Sequence, residues 1–485
     1  MGFLGGFMGI TKRLATLLGF ALLAQLHPIF ASAGGYGTAN PIFLPAYRIN
    51  DYAEVMTGSS PDNSFELITS LIDSGKREIR LGAYMLRSPG IAQALENAAK
   101  RGVKVTLLLD GWTVARPKAQ KVDVIELFLA SKIVKAGGRV YYLKSATGRR
   151  DDRRFKYLHA KYAVVDDSLF LSSENFANNG FSPTSSMGSR GWVIAIKNAS
   201  LARQYADIFD EDIAPTKDFR DIVSYGSHPD YTLKKGVEVP PHDGREGSYR
   251  PSAGTLVKGI ISLERVMSPD DALAPKRAII GAIREAKETL EIQSLSFAPH
   301  WGKNGSTPKK NPSPIAEEVL AAARRGVKVR IMVNPLYFLH STNPKENEPG
   351  DNEGEPETNG LWKNIASTWE DFSLVHMAAA LEPEPNAKVD TKNNSALIVY
   401  LRDVAEKEKL DLEANFFFVK DDSLRILHNK GMVVDGRKTL ISSINWTENS
   451  MKNNREAAVI VDNAHVARYY QNLFDVDWQY HRNSR

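Results

Sequence analysis

Apolar and polar residues follow two rhythms along this chain, and both rhythms recur in the same order in its two halves. Residues 65–74 and 275–287 place apolar side chains three and four positions apart, the spacing that gives an α-helix one buried stripe. Each is followed by a β-type run, 78–85 and 289–297. A second helix and strand come next. Ala98-Ala99-Lys100-Arg101-Gly102-Val103-Lys104-Val105 returns as Ala322-Ala323-Arg324-Arg325-Gly326-Val327-Lys328-Val329, and each copy leads into an apolar run, 106–109 and 330–333. Both copies read as a helix closed by glycine, whose missing Cβ admits the left-handed conformation, and then a buried strand. Helix, strand, helix, strand is thus written twice, the alternation of an α/β layered domain.

The repeat also locates the irregular parts. Gly102 to Gly326 is a step of 224 residues while His159 to His428 is a step of 269, so the second copy holds an insertion of about 45 residues, placed near 340–395. Within it, 343–360 is rich in Glu, Asp, Asn, Gly and Pro and reads as a solvated loop, with an acidic regulatory or metal-binding tract as the alternative. Residues 214–254, polar and rich in Pro, Gly and His, read as a connecting segment between a first domain over 34–213 and a second over 255–485.

Composition adds compartment more than chemistry. Lys12 and Arg13 precede the apolar run 14–24, and Ala31-Ser32-Ala33 then offers small residues for cleavage, so residues 1–33 read as a secretory signal and the protein as secreted, periplasmic or otherwise extracytoplasmic. An uncleaved anchor is the alternative, but eleven residues at about 1.5 Å each fall well short of a ~30 Å hydrocarbon core. The formal charge is +5; cleavage after Ala33 removes two basic residues and no acid, leaving +3, a weak pull on a polyanion. The chain has no cysteine, which excludes thiol catalysis and thiolate metal sites.

Each half then carries a His-x-Lys triplet beside β-rich runs: His159-Ala160-Lys161 with 162–165 and 169–171, and His428-Asn429-Lys430 with 431–434 and 439–441. Side chains two apart on a strand share a face, so each triplet sets an imidazole beside an ammonium. Asp166 and Ser172-Ser173-Glu174-Asn175 follow the first; Asp435 and Ser442-Ser443-Ile444-Asn445 follow the second. A single triplet is a chance occurrence, whereas four features in register inside a repeat are not. A zinc site lacks its third protein ligand. A decayed, non-catalytic repeat is the stronger alternative, yet both histidines and both lysines are intact. The set suits a phosphodiester, whose anionic oxygens repel nucleophiles. Lys161 and Lys430 can neutralise them, with Asn175, Asn445, Ser173 and Ser443 as substrate-phosphate donors, while one imidazole attacks and the other serves the leaving group. No metal or other cofactor is required.

These residues resemble the phospholipase D superfamily, whose signature is His-x-Lys-x4-Asp followed by Gly-Ser-x-Asn. The resemblance implies an α/β fold of two similar phospholipase D-like domains packed by pseudo-two-fold symmetry, each a mixed β-sheet flanked by helices. It implies one site, with His159 as nucleophile through a phosphohistidine and His428 as general acid and base. Asp166 and Asp435 are expected to bond turn or backbone groups, and Glu456 to orient one of the histidines. Three departures stand out: Ser172 and Ser442 replace the usual glycine; the first copy is one residue shorter after its Asp; and Arg190-Gly191-Trp192 stands where the second half has Arg455-Glu456. The half-sites are therefore expected to differ around their first contacts.

The expected activity is that of an exported phosphodiesterase of phospholipase D type, hydrolysing or transferring phospholipid head groups. A secreted metal-independent endonuclease is the second reading, with the basic run at 149–156 as phosphate track or simply as a solvated loop. A cardiolipin synthase-like phosphatidyltransferase is the third, disfavoured because such enzymes usually carry two N-terminal spans, and a binding-only role is the non-enzymatic alternative. Trp112, Trp301, Trp362 and Trp369 fall in loops or the insertion, where they serve either peripheral membrane contact or core packing. The expected partner is the substrate, phospholipid before nucleic acid, with a monomeric protein and no stable protein partner.

Overall fold

The computed structural model describes residues 44–111, 122–144, 155–181, 183, 188–214, 222–236, 253–302, 306–334, 394–417 and 424–483. The 1–33 segment, most of the basic run and nearly all of the insertion lie outside them. The first half runs β1 (Arg48–Ser60), α1 (Ser64–Ser74), β2 (Glu78–Ala83), α2 (Pro89–Lys100), β3 (Lys104–Asp110), α3 (Val124–Lys135), β4 (Arg139–Leu143), β5 (Tyr157–Leu158), β6 (Lys161–Val165), β7 (Ser168–Ser172), β8 (Gly188–Lys197), α4 (Ala199–Ile213) and β9 (Ile222–Ser224). The second runs β10 (Leu256–Ser268), α5 (Ala278–Glu285), β11 (Thr289–Ser294), α6 (Pro314–Arg324), β12 (Lys328–Val333), α7 (Asn394–Glu408), β13 (Leu412–Phe416), β14 (Leu424–Leu427), β15 (Lys430–Val434), β16 (Lys438–Ser442), α8 (Glu448–Lys452), β17 (Asn454–Asp462) and α9 (Ala464–Asn483).

The duplicated segment folds alike in both copies for local reasons. Ser88 and Ser313 cap α2 and α6 by accepting the amides of Ile91 and Ala316, and proline fills the first helical position of each. Gly102 and Gly326, at φ +89° and +91°, end them. The amides of Gly102 and Val103 return to Ala99 and Ala98, as those of Gly326 and Val327 return to Ala323 and Ala322, satisfying carbonyls that the helix end would orphan. The helix expected over 275–287 is shorter, because Ala278 sits at φ +55° and gives its amide to Glu264 of β10. The strands expected over 78–85 and 289–297 also stop early. Tyr84 turns its amide to Ala160, and Leu295 turns its amide to Asn429.

One mixed sheet runs through both halves in the order β9-β4-β3-β2-β6-β7-β8-β1-β10-β17-β16-β15-β11-β12-β13. Pairs β2–β3–β4 and β11–β12–β13 are parallel and the others antiparallel, so the order reads the same outward from β1 and β10 on either side, β9 excepted. This is the expected arrangement of two mixed-sheet α/β halves about a pseudo-two-fold. Residues 222–224 of the supposed connector are that added edge strand, and Tyr231 beyond them is buried against Tyr142.

Alternation along the strands sorts side chains into separate cores. In β6, Ala163 and Val165 face the first half's own core under α1, α2 and α3, while Tyr162 and Val164 face a core shared by both halves. The second half has its own core under α5, α6 and α7. Helices α4 and α9 fill the shared core, where Tyr205 donates to the Ala458 carbonyl and Tyr470 to the Val193 carbonyl, each across the boundary. Trp301 is buried with Lys452 over its ring, the core-packing alternative; the other three tryptophans of that set lie outside the described residues. Among the described residues, no helix is long and apolar enough to cross a membrane.

Candidate active site

Each histidine reaches its place by leaving its own half. Tyr157 and Leu158 of β5 pair in parallel with Asn454 and Arg455 of β17, and β14 pairs in parallel with Gly188, Ser189 and Arg190 of β8. The next backbone bond in each case belongs to a motif histidine. The His159 amide donates to the Arg455 carbonyl at 2.9 Å, and the His428 amide to the Arg190 carbonyl at 2.8 Å.

The rings are held across the same boundary. His159 Nδ1 lies 2.7 Å from Glu456 Oε1, and His428 Nδ1 lies 3.2 Å from Glu174 Oε2. Both carboxylates are buried. An imidazole that gives its Nδ1 proton to a carboxylate keeps Nε2 for chemistry, so the contacts fix tautomer as well as orientation. Burial alone would raise the Glu174 carboxyl, but His428, then Lys430 and the Ser189 hydroxyl, hold it below its ordinary range. Tyr84 adds an asymmetry: its ring centre is 5.0 Å from that of His159 and 5.5 Å from Lys161 Nζ, whereas Leu295 holds the matching place in the second half.

Lys161 and Lys430 are fully buried, where a polar head needs close hydrogen-bonding partners. Lys161 Nζ donates to the His159 carbonyl at 2.5 Å. Lys430 Nζ donates to the His428 carbonyl at 2.8 Å and to the Ser173 carbonyl of the other half at 3.3 Å, and stands 3.2 Å from His428 Nδ1. Lys430 of the second motif is thereby tied to Ser173, which follows the first.

Glu174 is the residue that sequence reasoning missed: each half-site has a carboxylate, but from a different position, so the two differ around their first contacts. Gly191 matches Glu456 in position, and the first half looks as though it lacks an acid. The acid instead comes from the turn after β7, where Ile444 stands in the second copy. A Cβ on Gly191 would lie 2.3 Å from Glu174 Oε1, so the glycine leaves the room that the carboxylate fills. The signal was present as an acid at 174 matched to an apolar residue, beside a glycine matched to an acid.

The remaining candidates divide by role. Ser172 and Ser442, in the usual glycine position, each accept the amide two residues on, from Glu174 and Ile444, and so close the same turn. Ser443 donates to Glu456 Oε2 at 2.6 Å and accepts the Ala457 amide; Ser173 accepts the Trp192 amide. Both were expected to meet phosphate; Ser443 gives its proton to the carboxylate, whereas the bond of Ser173 to β8 uses its oxygen as acceptor. Asn175 and Asn445 each bury a side-chain oxygen with no hydrogen-bond partner among the described residues. Such an atom costs about 1–3 kcal/mol, a price sustained at the same place in both copies.

Asp166 accepts the amides of Lys76, Arg77 and Glu78, and Asp435 those of Lys287, Glu288 and Thr289. Burial acts to raise the Asp166 carboxyl, but these three amides outweigh it and hold the group below its ordinary range. Both residues have left-handed backbone in the hairpin beyond the motif, and the extra residue of the second copy is absorbed there as Gly436, also at positive φ. Among the described residues, no group of three or more His, Asp and Glu side chains is placed to hold a metal ion.

Likeness to known proteins follows the same division of the chain. Residues 68–213 and 279–478 match the family model described as cardiolipin synthase, PLD-like domain. Over 59 residues, 12% of the chain, it is 39% identical to a protein named mitochondrial cardiolipin hydrolase from Xenopus tropicalis and 36% identical to the one from Xenopus laevis. The chain spans 28% of the length of each of these relatives. The crystal structure of phosphatidylserine synthase from Haemophilus influenzae Rd KW20 superposes with a TM-score of 0.53 at 13% identity, over 88% of this chain and 85% of that one, a likeness of fold.

Proposed function

The chain belongs to the phospholipase D superfamily of enzymes that act on phosphodiester bonds, and on that premise we propose that it hydrolyses the head-group phosphodiester of phospholipids through a phosphohistidine. The observation that carries the chemistry is the pair of imidazoles, each with Nδ1 on a buried carboxylate and each anchored to the opposite half. His159, the more closely held ring, attacks phosphorus through Nε2, forming the P–N bond as the P–O bond to the leaving alcohol breaks. His428 gives its proton to that oxygen. It then takes a proton from water, whose oxygen attacks phosphorus, breaks the P–N bond and restores both rings. Lys161 and Lys430 offset the charge on the equatorial oxygens, and Asn175 and Asn445 donate to them through their amide nitrogens. Glu456 and Glu174 position the rings, while Asp166 and Asp435 shape the hairpins at the far end of the motif strands.

Support for a lipid comes from the description of the matching family and from the names of the two short relatives. The export signal read in residues 1–33 places the activity outside the cytoplasm in this proposal. Phosphatidylcholine vesicles and plasmid DNA, offered in parallel to the purified protein, test the substrate. Release of choline with intact DNA supports the reading, and nicked DNA with intact lipid overturns it. Vesicles without added alcohol separate hydrolysis from transfer: a hydrolase releases choline and phosphatidic acid there, whereas a transferase turns over only when an acceptor alcohol is supplied.

A further inference from the structure

Behind each motif histidine lies a buried arginine held by two aspartates, one from each half. Arg190 Nη1 donates to Asp62 at 3.4 Å, and its Nε lies 3.1 Å from Asp477 of α9. Arg455 Nη1 donates to Asp270 at 2.5 Å, and its Nη2 to Asp212 of α4 at 2.9 Å. The two triads match position for position. Asp62 and Asp270 follow β1 and β10, whose last carbonyls, those of Ser60 and Ser268, also accept from Arg190 and Arg455. All six charged side chains are buried.

Stability alone gives a poor reason for such triads. Desolvating three charges costs several kcal/mol per ion, and apolar replacements of the same volume are often neutral or stabilising. Geometry gives a better one. The carbonyl of Arg455 receives the His159 amide, the next residue is the Glu456 that holds the His159 ring, and the Phe155 ring packs 4.7 Å from the guanidinium just before β5. The carbonyl of Arg190 receives the His428 amide, and the next residue is the Gly191 that makes room for Glu174. Asp477 is tied further to the second motif, since Gln293 donates to it at 2.9 Å and accepts from Asn429 at 3.2 Å.

We propose that Arg190 and Arg455 are positioning residues, each triad fixing the strand carbonyl and carboxylate that seat one catalytic histidine, so that the two half-sites are set by separate devices. The inference rests on the two-histidine reading of the site. It predicts that the Arg455 triad acts on His159, which faces Glu456, Lys161 and Tyr84, and that the Arg190 triad acts on His428, which faces Glu174 and Lys430.

The test is NMR of histidine-labelled full-length protein. An imidazole N–H bound to a buried carboxylate gives a strongly deshielded proton, and the His159 and His428 signals are assigned by their loss in His159→Gln and His428→Gln. Asp270→Asn is expected to weaken or broaden the His159 signal and leave that of His428; Asp62→Asn is expected to do the reverse. In turnover each should lower kcat by roughly 10- to 100-fold, the scale of a small misplacement, with KM within twofold. Loss of both signals together, or of neither, overturns the proposal, because general loosening of the fold cannot select one histidine. If an asparagine variant does not fold, Arg455→Lys and Arg190→Lys, which keep the charge and lose the two-armed grip, carry the same comparison. The NMR readout needs no substrate, so it stands apart from failure of the phosphodiesterase reading, which inactive wild-type protein would expose.

Discussion

Glu456→Gln changes one buried atom and isolates the charge behind His159. Among the described residues the carboxylate has three hydrogen-bonding partners: His159 Nδ1 at 2.7 Å, the Ser443 hydroxyl at 2.6 Å and Asn454 Nδ2 at 3.2 Å. Glutamine can keep its oxygen towards His159 and Asn454 and turn its amide to Ser443. The Ser443 hydroxyl then becomes the acceptor and gives its proton to the Ala457 carbonyl, 3.2 Å away. The hydrogen bonds are thus preserved and only the charge is lost. Bonds to charged groups are worth about 1.5–3 kcal/mol against about 0.5–1.5 for neutral ones, so about 1–2 kcal/mol of support for the imidazole disappears as it gains positive character. That corresponds to a fall in kcat of roughly 5- to 30-fold. Steady-state hydrolysis of bis(p-nitrophenyl) phosphate measures it, with thermal unfolding as the control. A variant that folds like the parent and turns over within twofold of it would refute the orienting role of Glu456.

Three further outcomes are expected. Lys430→Met should lower kcat/KM on the same substrate by roughly 10²–10³-fold, the scale of losing one charge-stabilising donor, and Lys430→Arg should not restore it because a larger, planar guanidinium would have to replace an ammonium at a fully buried position. Asp166→Asn should leave kcat unchanged and cost about 1–2 kcal/mol at pH 7 in urea unfolding, through the lost bond to one of three amides. The native carboxyl of Asp166 is held below its ordinary value of 3.8, so its stabilisation is complete above that value and is lost as pH falls through the native one; the gap between parent and variant should narrow on acidification, and a constant gap would count against the assignment. Hydrolysis by the two-histidine route should persist in EDTA, and loss of activity there, restored by a divalent ion, would require different chemistry.

Local sequence carried most of the fold. Ser-Pro at the start and Gly at the end of α2 and α6 are decided by neighbours in the chain, as is the pairing of helix with strand in each repeat. The central strands β1 and β10 were not legible in the same way. Their partners lie in the other half, and Tyr52 and Ile260 stand exposed opposite each other where alternation would otherwise mark a buried face. At the site, the histidines and lysines could be found by register between the copies, and Glu456 by resemblance, from its place after the second motif. Glu174 could not, because register compares equal positions and the carboxylate has moved to a different strand end. The serines had the right chemistry for phosphate, but only coordinates reveal that the Ser443 proton is committed to Glu456. The arginine triads depend on four aspartates that no motif connects.

The central claim, that His159 and His428 divide one reaction between them, is tested most directly by stopping it halfway. A p-nitrophenolate leaving group needs little acid assistance, so His428→Ala should still form the P–N bond but lack the base that resolves it. With bis(p-nitrophenyl) phosphate the variant should release one equivalent of p-nitrophenolate and stall, and mass spectrometry of the protein quenched in alkali should place one p-nitrophenyl phosphoryl group on the peptide carrying His159. Continued turnover by this variant, or an adduct found on neither histidine, would contradict the account, and an adduct on His428 in His159→Ala alone would reverse the roles of the two rings.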